Sequence, residues 1–249
     1  MTDTLIIQSH RSPLPYPWLT HCIESVRAWC EVNRYQHQFI GDELFECLPE
    51  TILQKTTAQP VIATDLARLL VIKAVLKDYS RVIWLDADFL IFNPVAFVLS
   101  DTPYAVGREV WVQHDFNGKL KLYKKVHNAF LMFHQHNHFL DFYAETAQRL
   151  LMRNEGTVPP QFIGPKLLTA LHNVANLHVM ESAGMLSPLV IKDIVQGGGD
   201  ALSRFVTASP QTIAGANLCG SSCERDELSD DEMMLAINVL LENSLESLK

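Results

Sequence analysis

No stretch of the 249 residues approaches the ~20 consecutive apolar side chains that a membrane-spanning helix needs, so no span is expected. Basic residues are in deficit: 20 Lys and Arg stand against 28 Asp and Glu, a net charge of −8. A nucleic-acid partner is therefore not expected, because such a partner requires a basic face. Cysteine is sparse and odd in number: Cys22, Cys30, Cys47, Cys219 and Cys223, irregularly spaced. Positions 1–7 are too short for a leader and carry Asp3 where a basic flank would stand. A reducing, cytoplasmic setting fits best. Cys219 and Cys223 could be half of a metal site, but no second pair follows, and ordinary thiols are the simpler reading.

Hydrophobic residues make up 48% and charged residues 19%, which is a globular composition long enough for one large α/β domain or two small ones. The residues 82–85 (VIWL) and 89–92 (FLIF) are apolar throughout, with Asp86 and Asp88 between them. A short apolar run with β-branched and aromatic members reads as a buried strand of a parallel sheet. Two like charges do not stay buried and unpaired. Asp86 and Asp88 are therefore expected at the carboxyl end of that strand, where open α/β sheets bind ligands. On extended backbone both project to one side, and two hard oxygen ligands suit a divalent ion shared with a substrate phosphate. The bland reading is a turn with two solvated carboxylates. A haloacid-dehalogenase-like phosphatase also carries two aspartates after an apolar strand, but Phe89-Leu90 stands where Gly-Thr usually follows.

Around this stretch the periodicity predicts a strand over 4–9, a helix over 17–33 opened by Pro17, and a strand over 37–40. Residues 44–60 read as irregular or weakly helical. A helix is expected over 63–77, with Thr64 as N-cap. Strands are expected over 104–108 and 129–133, and helices over 138–153 and 166–172. Further on, 177–180 and 189–194 look like strands, 205–206 and 212–213 are short candidates, and 230–248 is an acidic amphipathic helix. Asp65 and Arg68 share one helical face: a local ion pair, or an Arg poised for phosphate. His134, His136 and His138 alternate in a polar turn and read as a solvated loop rather than a zinc site. Trp111, beside Gln113 and His114, is the tryptophan to consider for stacking on an acceptor.

Thr64-Asp65-x-x-Arg68, a leucine-rich helix, Trp84-Leu85-Asp86-Ala87-Asp88, His127-Asn128-Ala129 and Gly164-Pro165-Lys166-Leu167-Leu168-Thr169 follow in that order. Together they resemble the donor-binding core of GT-A glycosyltransferases of families 8 and 32, over roughly residues 4–172. The resemblance implies a GT-A-like α/β fold with a mixed, mostly parallel sheet flanked by helices. With no internal repeat and no clear linker, a single domain over 1–249 is expected, with a nucleotide-sugar-binding core over 1–172 and a variable portion over 173–249. The implied activity moves a hexose from a nucleotide-diphospho-sugar to a glycan, lipid or protein acceptor with retention, aided by Mn²⁺ or Mg²⁺. By the same resemblance Asp88 is the direct metal ligand, and Asp86 contacts the ribose and the metal shell. Asp65 and Arg68 contact the nucleotide-sugar. Asn128 and His127 are pocket candidates, and Gly164-Pro165 shapes the sugar pocket.

These families usually supply a late His as a further metal ligand, yet 214–222 (AGANLCGSS) holds neither His nor Trp. Asn217 or Ser221 is the available oxygen donor there. The gap keeps a non-catalytic sugar-nucleotide-binding protein in view. A nucleotidyltransferase on a related fold ranks lower, because His10-Arg11-Ser12-Pro13 stands where that class carries a Gly-rich phosphate loop. The acidic C-terminal helix leaves an oligomer open.

Overall fold

The computed structural model describes residues 4–225, 227–243 and 245–248. Met1 and Asp3, used above to read the N-terminus, lie outside the described residues. The chain opens with β1 (Thr4–Ser9), α1 (Leu19–Asn33) and β2 (Gln36–Ile40). Two short helical pieces follow, a 3₁₀ turn over Asp42–Cys47 and α2 (Glu50–Thr56). Then come α3 (Pro60–Val75), β3 (Arg81–Leu85), β4 (Phe89–Ile91), β5 (Tyr104–His114) and β6 (Leu120–His134). The remainder is α4 (His138–Arg153), α5 (Pro165–Ala175), β7 (Val179–Met180), β8 (Ala183–Met185), α6 (Pro188–Gln196), α7 (Asp200–Ala208), β9 (Gly215–Asn217), α8 (Ser221–Glu224) and α9 (Asp230–Glu242). A 3₁₀ turn over Leu245–Leu248 ends the described chain.

The main sheet has the order β2-β1-β3-β6-β5-β7, and only β6 runs against the others. It is a mixed, mostly parallel α/β sheet flanked by helices, as the apolar runs suggested. Alternation along the strands sorts the core onto two faces. Leu5, Ile7, Val82 and Trp84 pack with α3 and α4, while Ile6, Ile83 and Leu85 pack with α1 on the other face. Both faces are covered, so the strands show continuous apolar runs. A third cluster joins Val110, Val112, Leu90, Ala216 and Leu218 to α6, α7 and α9. Its small sheet, β4-β9-β8, pairs the strand that follows Asp88 with one from the end of the chain. Among the described residues no helix is long and apolar enough to cross a membrane.

Four local expectations are corrected. Helix α3 begins at Pro60, not at a Thr64 cap; a proline at the first helical position has no N–H to lose, and Thr64 Oγ1 bonds back to Pro60 O at 3.4 Å. Positions 189–194 and 205–206 belong to helices α6 and α7, not strands. Pro188 at the start and Gly197 in the left-handed C-cap decide the first, over an apolar run too short to judge by period. The strands expected over 104–108 and 129–133 are the inner parts of a hairpin reaching from Tyr104 to His134. The C-terminal helix stops at Glu242, short of the expected 248.

Candidate functional site

Strand β3 stops at Leu85, and Asp86-Ala87-Asp88 forms a tight turn closed by Phe89 N–H donating to Asp86 O at 3.0 Å. The two carboxylates therefore sit on a turn between β3 and β4, not side by side on extended backbone. Both still line one cavity of about 1000 Å³.

Asp86 is held from the α3 side. Trp84 Nε1 donates to its Oδ1 at 2.7 Å, and Arg68 Nη1 lies 3.0 Å from the same atom. The Arg68 guanidinium is buried, lies 5.3 Å from the Trp84 ring centroid, and donates to Asn128 O at 2.7 Å. Its Nη2 lies 3.3 Å from Asp65 Oδ1, which also accepts from Asn128 Nδ2 at 2.7 Å. The sequence-predicted residues Asp65, Arg68, Asn128 and Asp86 thus form one buried network. Arg68 spends its donors on protein oxygens, so its place here is to orient Asp65, Asn128 and Asp86. Burial would lower its pKa, and the charges of Asp86 and Asp65 more than offset this.

Asp65 is 2% exposed, and its Oδ2 has no hydrogen-bond partner among the described residues. Burial, with the charge of Asp86 adding to it, pushes its carboxyl up to about 6 against the pull of Arg68 and Asn128. A Cβ on Gly164 would stand 2.4 Å from that Oδ2 and 2.9 Å from Asn128 Nδ2, so only glycine lets α5 start this close. Pro165 opens α5 and lines the cavity. Asp65 lines the cavity too, its Oδ2 lying against the Gly164 backbone at the start of α5.

Asp88 is held from the C-terminal end of the chain. Asn217 Nδ2 donates to its Oδ1 at 2.5 Å and the Gly220 N–H to its Oδ2 at 2.7 Å. Asn217 Oδ1 accepts from the Cys219 N–H at 2.8 Å, which fixes the amide's orientation. Burial, then the neighbouring Asp86 charge, pushes Asp88 up to about 6, opposed by these donors. Two neighbouring carboxylates, beside an Asn and on one cavity, fit a hard divalent cation, which commonly takes one or two protein carboxylates and completes its shell with water and phosphate. Among the described residues no group of three His, Cys, Asp or Glu side chains could hold a metal by itself. Ser221 lines the cavity, but its hydroxyl accepts from Arg225 Nη1 at 3.1 Å.

His127 is not a cavity residue. It is fully buried behind Gly107, within 3.2 Å of Ala183 O, and burial brings it down to about 4. His134 closes β6 and His138 opens α4, with His136 in the turn between them at φ 60°. The Cys219 thiol is pushed well up by burial and the charge of Asp88, and Cys223 up to about 11, and among the described residues neither belongs to a group of three candidate metal ligands. Trp84, read above as core, and the Gly220 N–H are the contacts that the residue pattern did not flag. Position 84 carried a signal, because an indole two residues before a strand-end carboxylate can reach it from the same face.

The chain matches no protein-family model and no curated protein. Two similar solved structures span almost its whole length. One is a glycosyltransferase involved in the glycosylation of the major capsid of PBCV-1, 17% identical, with a TM-score of 0.49 over 93% of this chain and 99% of that chain. The other is an active-site mutant of LgtC, 13% identical, with a TM-score of 0.47 over 94% of this chain and 95% of that chain. Likenesses this distant assign neither substrate nor chemistry.

Proposed function

We propose that this protein is a metal-dependent glycosyltransferase that moves a hexose from a nucleotide-diphospho-sugar to an acceptor, with retention at the anomeric carbon. The observation that carries this reading is the Asp86–Asp88 turn joined to the Arg68–Asp65–Asn128 network on the wall of one cavity. Asp88 and Asp86 would hold Mn²⁺ or Mg²⁺, which when bound supplies positive charge to the departing diphosphate. Asp65 Oδ2, otherwise unpartnered, accepts a hydroxyl of the donor sugar, and the Asn128 amide fixes its other oxygen. Arg68 holds Asp65, Asp86 and Asn128 in register, so the sugar and the diphosphate end are positioned by one rigid unit. The odd, irregular cysteine set supports a reducing cytoplasm as the compartment.

A thermal-shift panel of UDP-, GDP- and CDP-sugars with and without Mn²⁺ tests the reading. A ligand at a hundred times its Kd adds ~2.7 kcal/mol, which for a chain of this size is a rise of about 5–10 °C. Asp88→Asn is expected to abolish the Mn²⁺-dependent part of the shift and any donor turnover. A D88N protein with the full shift and turnover would sink the assignment. One observation favours a second reading, a sugar-nucleotide-binding protein without catalysis: both Asp88 oxygens are already satisfied by Asn217 and Gly220. Metal-dependent binding without turnover on any acceptor would select that reading.

A further inference from the structure

We propose that the cavity-facing side of the β5–β6 hairpin is the acceptor subsite, and that it takes a saccharide bearing a carboxylate or phosphate, its ring stacked on Trp111 beside Tyr123. This rests on the glycosyl-transfer reading for the name acceptor, but its observations are separate. In the hairpin register Glu109 faces Lys125, Trp111 faces Tyr123, and Gln113 faces Lys121. These six positions share one face, because side chains alternate along a strand. The opposite face carries Val110, Val112 and Leu122, which pack against α6, α7 and α9. A sheet that buries one face and turns the other to a cleft carries polar residues there, and a directly opposed Trp111 and Tyr123 that do not pack ring on ring stand among them.

Glu109, Trp111, Gln113, Tyr123 and Lys125 line the same cavity as Asp65, Asp86 and Asp88. Among the described residues no ring or cation lies on the Trp111 ring, whereas Lys121 and Lys125 lie over that of Tyr123, so Trp111 is the platform offered to the apolar face of a sugar.

The charge supports the anionic group. In a chain of net charge −8, this face carries two lysines against one glutamate. Lys121 Nζ lies 5.2 Å and Lys125 Nζ 5.6 Å from the Tyr123 ring centroid. Lys125 Nζ pairs with Glu109 Oε1 only at 3.6 Å and on a partly exposed side chain, a weak pairing that an incoming anion can replace. Lys192 of α6 lines the same cavity and makes no ion pair among the described residues. Arg225, by contrast, is spent on Glu227. Glu109, held up by burial, is left to accept a hydroxyl beside the charged group.

Intrinsic fluorescence tests this directly, because Trp18, Trp29 and Trp84 are at most 1% exposed and Trp111 is the half-exposed one. The probes are trigalacturonate, 3′-sialyllactose and glucose 6-phosphate, each against its neutral counterpart, galactotriose, lactose and glucose, with inorganic phosphate as the anion control. Saturable quenching by at least one acidic saccharide is expected, with its neutral counterpart at least tenfold weaker. Lys121→Gln with Lys125→Gln should remove that preference. Trp111→Ala should weaken binding tenfold or more by calorimetry while the nucleotide-sugar thermal shift persists, which shows that the variant is folded. The proposal is overturned if no probe binds, if neutral saccharides or phosphate alone bind as well, or if Trp111→Ala binds as tightly as the parent. Saccharide binding in a wild-type protein with no sugar-nucleotide shift would overturn the transfer reading and leave this site standing.

Discussion

Asp65 shows at the scale of one residue how a site and a fold can pull apart. Its carboxyl rises from an ordinary value of 3.8 to about 6, first because it is buried. A carboxyl whose folded pKa is raised stabilises the fold fully below its unfolded pKa, and that stability is lost as pH climbs through the folded value. Between pH 5 and pH 8 the loss comes to ~1.5 kcal/mol, taking about 1.4 kcal/mol per pKa unit. Asp65→Asn removes the titration. Urea unfolding at several pH values should therefore show the variant gaining about 1–2 kcal/mol on the parent from pH 5 to pH 8, while it loses the donor-dependent thermal shift. A pH-independent difference would mean that Arg68 holds Asp65 fully ionised in the fold.

At the scale of elements, the β5–β6 hairpin carries the largest difference between pattern and structure. Its inner halves were legible as apolar strands. Its outer halves were not, because Glu109-x-Trp111-x-Gln113 and Lys121-x-Tyr123-x-Lys125 read as polar loop until a second face of Val110, Val112 and Leu122 is seen to be covered. The register shifts between Val106 and Gly107, and the His127 ring packs directly on Gly107. A Cβ there would stand 2.1 Å from the ring carbon Cε1 of a side chain with no exposure. A rigid buried ring cannot yield as a flexible chain end would. Gly107→Ala should cost at least ~2 kcal/mol, toward the upper part of the usual overpacking range. Chemical denaturation measures this, and a loss under ~1 kcal/mol would show that the ring relocates.

For the whole molecule, the cluster under α6, α7 and α9 is what brings the late chain to Asp88. Ile237 is fully buried in the cluster that holds Ala216 and Leu218, the residues on either side of Asn217. Ile237→Ala should cost ~2–5 kcal/mol of stability. It should also shrink the Mn²⁺-dependent thermal shift, although Ile237 is not among the residues lining the cavity. Leu151→Ala, in the cluster on the α3 and α4 side, should cost a similar amount and leave the shift intact. Equal shifts in the two variants would show that Asn217 and Gly220 hold Asp88 without support from that cluster.

The amino-acid sequence by itself determined what local physics can express. The apolar runs placed β1 and β3, the helical periods placed α1 and α4, and a pair of strand-end carboxylates asked for a cation. It also brought Asp65 and Arg68 forward by their helical spacing, and Asn128 by resemblance. Tertiary structure decided the rest, because those contacts are non-local. Asn217 lies 129 positions from the Asp88 it holds, and no period or spacing encodes a partner at that separation. The pairing of β4 with β9 makes the contact, and burial of the third cluster supports that pairing. Where residues 214–222 lack the expected His, the fold sets an amide and a backbone N–H against Asp88.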